Sequence, residues 1–154
     1  MGTKKIDVKI GDILRIPVDD FFVAAKIIWI SQWHKDATGI VIFPGWFESA
    51  DQVRPVEGDY LVMKMGKDDV RVLYPSIKNV TAKKKWAIIG HSPLNETDIK
   101  LRFHLVASML YDGDDSVRFA TLDDYANYPH VLAAGPIVVQ NLIRQARPSM
   151  PRID

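Results

Sequence analysis

The sequence contains no cysteine, so disulfides, thiolate metal sites, iron–sulfur clusters and cysteine nucleophiles are excluded together. It also lacks a long hydrophobic run. Its longest apolar stretch, Phe21 to Ile30, is interrupted by Lys26 and is far shorter than the roughly 20 residues that a membrane helix needs. The first residues alternate lysines with apolar residues and have no apolar signal-peptide core. These absences predict a soluble, cytoplasmic protein.

An excess of charge of one sign is missing as well. The 154 residues carry 20 Lys and Arg against 19 Asp and Glu, which gives a net charge of +1. This balance provides no broad attraction to nucleic acid or to an anionic membrane. The 47% of hydrophobic residues are typical of a globular chain. We therefore expect one β-rich domain over residues 1–146, followed by a loosely ordered tail over residues 147–154.

Most of the chain has strand-forming patterns. Residues 12–30 predict a hairpin that turns at Asp19-Asp20, and the alternation over residues 99–105 predicts a strand with His104 on its solvated face. Residues 116–122 are expected to pair with that strand. Other strands are predicted at 39–43, 60–65, 70–74 and 86–90. The predicted fold is mainly β (α+β): a strongly bent antiparallel sheet, or a small and partly open barrel, with one C-terminal helix.

That helix is predicted near residues 136–146. Pro136 suits the first helical position, and Ile137, Val138 and Leu142 are expected to pack on the sheet together with Leu132. A short helical turn is predicted over residues 122–127. Among the aromatic residues, Trp29 and Trp33 are expected in the core.

Motifs for catalysis and cofactor binding are absent. The histidines at positions 34, 91, 104 and 130 have no metal-ligand spacing, and no serine lies in a G-x-S-x-G context. Glycine-rich phosphate loops are missing. Only three glutamates occur, so a pair of catalytic carboxylates would have to include aspartate. The sequence predicts no catalytic residue, no metal and no cofactor. A small hydrolase assembled from Asp and His in space remains an alternative.

Two groups of residues are candidates for binding a partner. Trp46 and Phe47 follow Pro44-Gly45 on a loop, where aromatic side chains either anchor a protein interface or close one end of the core. Asp112, Asp114 and Asp115 belong to a segment with five acids against one base. These carboxylates either steer a basic partner or solvate turns. A calcium loop is not expected, because valine stands where such a loop requires glycine.

A basic cluster, Lys83-Lys84-Lys85, precedes Trp86. Lysines beside an aromatic residue suit a nucleic-acid backbone with a stacked base. They also suit a solvated turn that keeps a sheet edge from pairing. With a net charge near zero, we expect the second role and no nucleic-acid partner.

Two segments resemble the bacterial immunity protein 26 family. The resemblance covers residues 9–30, where the chain reads Lys9-Ile10-Gly11-Asp12-Ile13-Leu14-Arg15-Ile16-Pro17-Val18 and then Ala24-Ala25-Lys26-Ile27, and residues 84–92 around Lys85-Trp86-Ala87-Ile88-Ile89-Gly90. It implies a non-enzymatic, antitoxin-like protein that binds and neutralises a partner bacterial toxin, and it assigns no site residues. The alternative is a β-barrel nucleic-acid-binding module that uses Lys83 to Lys85.

Overall fold

The structure is a computed structural model that describes residues 8–32, 37–76, 86–131 and 134–154. Its strands are β1 (Asp12–Val18), β2 (Phe21–Ile30), β3 (Thr38–Ile42), β4 (Met63–Met65), β5 (Asp68–Val70), β6 (Val72–Leu73), β7 (Ala87–His91), β8 (Phe103–Val106), β9 (Met109–Asp112) and β10 (Asp115–Phe119). Its helices are α1 (Glu96–Lys100), α2 (Leu122–Asn127) and α3 (Pro136–Ala146), with 3₁₀ turns at Ala50–Gln52 and Arg147–Ser149. The mainly β prediction is confirmed.

A five-stranded antiparallel sheet forms the centre of the fold, in the order β6-β3-β2-β1-β7. The predicted hairpin over residues 12–30 is confirmed, since β1 pairs with β2 from Ile13 opposite Lys26 to Val18 opposite Phe21. The turn contains Asp19 at φ 52°, a left-handed conformation that aspartate tolerates better than most residues. Among the described residues, β6 and β7 have no further strand partner, so the sheet is open and not a closed barrel.

Strand β2 is buried on both faces and therefore separates two cores. Val23, Ala25 and Ile27 contribute to the first core, whereas Ala24 and Ile28 contribute to the second. A β-bulge between Ile27 and Trp29 interrupts the alternation, so Ile28 and Trp29 both belong to the second core. Trp29 is buried, as predicted. Trp33, Leu132 and Lys83 to Lys85 lie outside the described residues.

The first core is covered by α3, which begins at Pro136 as predicted. Val139, Leu142 and Ile143 are buried, and Ala146 packs against the same core. The prediction that Ile137 and Val138 face the core is wrong, because they are 73% and 44% exposed. The stripe formed by residues 139, 142, 143 and 146 faces the core, whereas Ile137 lies about 160° and Val138 about 100° away from Val139 around the helix.

Leu142→Ala is expected to lower the free energy of unfolding by about 2–5 kcal/mol, because it leaves a cavity under α3. Ile137→Ala on the same helix removes an exposed side chain and should change it by no more than about 0.5 kcal/mol. Urea unfolding followed by circular dichroism measures both variants. Equal effects of the two substitutions would show that α3 packs differently.

The C-terminal segment contradicts the expectation of a loosely ordered tail over residues 147–154. Met150 is buried in the first core. The Trp46 N–H donates to the carbonyl of Pro151 at 3.0 Å, and the Ile153 N–H donates to the carbonyl of Trp46 at 2.8 Å. The Arg147 guanidinium lies 4.1 Å from the ring centroid of Trp46. Backbone pairing and a cation–π contact therefore hold this segment against the domain.

The segment from residue 95 to 119 differs most from the sequence expectation. Residues 96–100 form α1, because Asn95 and Asp98 make a capping box in which each side chain accepts the other's backbone N–H. The strand predicted over 99–105 therefore starts only at Phe103. It pairs with β9, while β10 pairs with the far side of β9 instead of with β8. The predicted helical turn over residues 122–127 is confirmed as α2.

Two of the other predicted strands are also divided differently. Residues 63–65 and 68–70 form a separate hairpin, β4–β5, around the turn at Gly66. Only Val72–Leu73 then joins the main sheet, beside β3. In the described ranges of the chain, every helix is too short to cross a lipid bilayer.

Candidate functional site

Cross-strand pairing places three apolar side chains in one row on the β8–β10 sheet. Val106 lies opposite Met109, and Met109 lies opposite Phe119. Residues that are directly opposite in antiparallel strands project from the same face. Phe119 is 75% exposed and Val106 is 42% exposed, whereas Leu105 and Leu110, which belong to the other face, are buried. The row is thus exposed at Val106 and Phe119, with Met109 half-buried between them, on a sheet whose opposite face is packed.

Helix α2 begins with a further exposed apolar residue. Leu122, three residues after Phe119, is 88% exposed. We call Val106, Met109, Phe119 and Leu122 the apolar ridge. The Ala120 N–H donates to the Ser108 carbonyl at 2.8 Å, which keeps the start of α2 beside the β8–β9 turn. The four residues of the ridge therefore lie on both sides of the strand–helix junction.

A salt bridge fixes α2 on the end of β10. The Arg118 guanidinium donates twice to the Asp124 carboxylate, at 2.7 and 3.1 Å. Asp124 also accepts the Thr121 N–H, and Thr121 Oγ1 accepts the Asp124 N–H in return. These hydrogen bonds, led by the one from Arg118, lower the pKa of Asp124 to about 2. The carboxylate is thus charged at neutral pH, and its ion pair with Arg118 ties α2 to the end of β10.

Strand β10 has a β-bulge at its exposed edge. Every residue of β10 is exposed, and its register with β9 shifts between Ser116 and Arg118. A bulge breaks the regular spacing of backbone donors and acceptors, which protects an edge strand from pairing with other strands. A partner is therefore expected to contact the side chains of the ridge, not to add a strand to β10.

The structure brings Asp112, Asp114 and Asp115 together at the β9–β10 turn, as the sequence predicts. Two of them have internal contacts. Asp114 accepts the Ser31 hydroxyl at 2.7 Å and the Gln32 N–H at 2.6 Å, which ties the turn to the end of β2. Asp112 Oδ1 lies 4.0 Å from Arg102 Nε. Asp115 is exposed and has no ion-pair partner among the described residues. The acidic turn thus has one unengaged carboxylate.

The predicted interface residue Phe47 is completely buried, so the prediction that it anchors a partner is wrong. Its backbone N–H and C=O both pair with Phe22 at 2.8 Å. Trp46 is partly buried, with its ring edge-on to Phe21 at 5.8 Å and Arg147 stacked on it. Trp46 therefore links the C-terminal segment to the first core, whereas Phe47 is buried beside the start of β2.

His104 is buried, whereas the alternating pattern predicts that it is solvated. It lies on the same sheet face as the ridge, but the main sheet covers this end of the face. The imidazole packs 4.7 Å from the Trp29 ring and stacks on Tyr111 at 6.0 Å. Nδ1 lies 3.0 Å from the Arg102 carbonyl. Burial lowers the pKa of His104, so the neutral form donates from Nδ1 to that carbonyl.

A buried ion pair joins β2 to α1. The Lys26 ammonium lies 2.7 Å from Asp98 Oδ2 and donates to the Pro93 carbonyl at 2.8 Å. The Tyr60 hydroxyl donates to Asp98 Oδ1 at 2.5 Å. Burial, together with this hydrogen bond to the carboxylate, raises the pKa of Tyr60. The hydroxyl is therefore a permanent donor, and the Asp98 carboxylate has partners on both oxygens.

A His–Asp contact lies where β1 and β7 meet. His91 Nδ1 is 2.9 Å from Asp12 Oδ1, and Asp12 Oδ2 accepts the Lys9 N–H. In serine hydrolases, a carboxylate bonded to Nδ1 orients the imidazole, and Nε2 contacts the nucleophilic hydroxyl. No hydroxyl of the described residues bonds to His91. Throughout the described residues, no three His, Asp or Glu side chains lie close enough together to hold a metal ion.

Comparisons with protein-family models, with curated proteins and with solved structures found no match to this chain. The candidate site therefore rests on the geometry of the chain. The residues that sequence reasoning missed are those of the ridge. Their signal was weak, because an exposed apolar residue in a short strand looks the same in sequence as a buried one.

Proposed function

We propose that this chain is a non-enzymatic immunity-type protein that binds a partner toxin through the apolar ridge and thereby neutralises it. The exposed ridge is the observation that carries the proposal. Exposed apolar side chains that cluster on a soluble protein usually mark an interaction surface. Large aromatic residues such as Phe119 are the kind that anchor an interface.

The resemblance to the immunity protein 26 family supports the proposal from another part of the chain. The described residues of its two segments, 9–30 and 86–92, contain β1, β2 and β7. These strands are neighbours, with Asp12 opposite His91 and Leu14 opposite Ile88. The family-like residues thus build one continuous part of the scaffold. The ridge lies on a different sheet. A family can keep one scaffold and vary such a separate surface to bind different partners.

The acidic turn suggests the chemistry of the partner surface. Asp115 and Asp123 are exposed and have no ion-pair partner among the described residues. They flank the ridge in sequence, at the start of β10 and in α2. Exposed carboxylates raise the association rate with a basic surface and suppress acidic competitors. We infer a partner with a basic, partly apolar face, as expected of a toxin that acts on nucleic acid.

Replacing both Phe119 and Leu122 by serine should abolish partner binding. The tagged chain is first expressed in its native host, and the protein that co-purifies is identified and tested for toxicity. The double variant should then bind that protein at least about 30-fold more weakly, the equivalent of one interface hot spot. It should also fail to protect cells that express the toxin.

Ile137→Ser is the matched control, because Ile137 is equally apolar and 73% exposed, but lies on α3. This variant should bind and protect as the unaltered chain does. Retention of binding by the Phe119 and Leu122 double variant would remove the ridge from the interface. A co-purifying protein without toxicity would contradict the immunity function.

A further inference from the structure

A cavity of about 610 Å³ lies where the β6 edge of the main sheet meets the β8–β10 sheet. Backbone hydrogen bonds frame it. The Leu105 N–H donates to the Pro129 carbonyl at 2.8 Å, and the Val131 N–H donates to the Leu105 carbonyl at 3.0 Å. The Ala134 N–H then donates to the Tyr74 carbonyl at 3.2 Å. The chain after α2 thus joins the two sheets, and the cavity has walls from both.

Five rings line this cavity: Tyr74, Phe103, Tyr125, Tyr128 and His130. Tyr125 stacks on His130 with centroids 5.7 Å apart, and Phe103 lies 5.8 Å from Tyr128. Tyr125 is 42% exposed, so ring surface is accessible from solvent. Flat aromatic surfaces of this kind bind planar rings by stacking.

The charges on the cavity wall favour an anion. Arg71 and Lys100 are exposed and have no ion-pair partner among the described residues. Asp69 is paired with Lys64 at 2.5 Å, which leaves Asp68 as the unpaired carboxylate. Two free cations against one free carboxylate give the wall a positive balance. Asp68 and the amide of Asn127 supply acceptors for amino or hydroxyl groups of a ligand.

The hydroxyl of Tyr74 is buried behind its ring. Tyr74 is 7% exposed, and its hydroxyl has no hydrogen-bond partner among the described residues. Burial raises the pKa of Tyr74, so the hydroxyl keeps its proton. A buried donor without an acceptor costs about 1–3 kcal/mol. Because the hydroxyl is buried, Tyr74 contributes its ring and not this donor to the cavity wall.

We propose that this cavity binds a nucleoside monophosphate. Its base would stack on the Tyr125–His130 and Phe103–Tyr128 rings, and its phosphate would contact Arg71 and Lys100. The cavity has the size of sites for ligands of this class. The proposal does not depend on the function proposed above, because none of Val106, Met109, Phe119 and Leu122 lines the cavity.

Isothermal titration with AMP, GMP, CMP and UMP tests the site, with adenosine and inorganic phosphate as partial ligands. At least one nucleotide should bind at least about tenfold more tightly than either partial ligand, because each of these makes only half of the contacts. Arg71→Ala combined with Lys100→Ala should weaken the nucleotide at least about tenfold and leave adenosine unchanged. Tyr125→Ala should weaken both.

Lys67→Ala is the matched control, since Lys67 is an exposed cation at the β4–β5 turn that does not line the cavity. This variant should bind the nucleotide as tightly as the unaltered chain does. Binding by the Phe119 and Leu122 double variant should also be unchanged, which separates this site from the ridge. Absence of nucleotide binding at millimolar concentration, or equal binding by the Arg71 and Lys100 double variant, would overturn the proposal.

Discussion

Asp98→Asn is expected to lower the free energy of unfolding by about 3–5 kcal/mol, because it leaves the buried Lys26 ammonium without its counter-charge. Asp98 is fully buried and Lys26 is 3% exposed, so water cannot replace the lost carboxylate. The Tyr60 hydroxyl and the Asn95 N–H also lose a charged acceptor. The loss corresponds to a fall in Tm of about 6–20 °C for a chain of this size.

Urea unfolding at neutral pH measures this effect. Lys26→Met combined with Asp98→Asn removes both charges and should be more stable than Asp98→Asn alone, because no uncompensated charge remains. Glu96→Gln is the control on the same helix. Glu96 is exposed, and its substitution should cost no more than about 1 kcal/mol. An Asp98→Asn variant as stable as Glu96→Gln would mean that the ion pair does not hold α1 on the sheet.

Phe47→Ala should lower the free energy of unfolding by about 3–5 kcal/mol, the usual cost of deleting a fully buried phenylalanine ring. The ring has no exposed surface, and the Arg54 guanidinium lies 5.4 Å from its centroid. Backbone pairing with Phe22 on both sides prevents the loop from collapsing easily into the cavity. Thermal and urea unfolding of the purified variant measure the loss.

Phe119→Ala is the matched control for that experiment. Phe119 is the same residue type but is 75% exposed, so its removal should change stability by no more than about 0.5 kcal/mol. Partner binding should show the opposite pattern, with a loss for Phe119→Ala and none for folded Phe47→Ala. Similar stability losses for the two variants would contradict the assignment of Phe47 to the core.

Local patterns in the sequence predicted the elements whose formation depends on neighbours in the chain. The β1–β2 hairpin follows from strand-forming residues on both sides of a two-residue turn, and α3 from Pro136 followed by a 3.6-residue period. Helix α1 was predictable in principle, because Asn95 and Asp98 have capping-box spacing. Its apolar–polar alternation instead favoured a strand. In five residues the two periods are difficult to distinguish.

The candidate sites depend on contacts between residues that are far apart in the chain. Asp98 reaches Lys26 across 72 residues, and a bulge in β2 turns Trp29 towards His104. The alternating pattern around His104 indicates which residues project from the same face of the strand. It does not indicate that the main sheet covers His104 on that face.

Composition and local spacing were thus enough to predict the fold class, the β1–β2 hairpin and α3. Turn preferences, helix capping and hydrophobic periodicity all depend on residues that are close together in the chain. Which apolar residues are buried, as Phe47 is, and which stay in water, as Phe119 does, followed only from the packing of the sheets. Burial depends on what lies opposite a side chain, and that neighbour is supplied by a distant part of the chain.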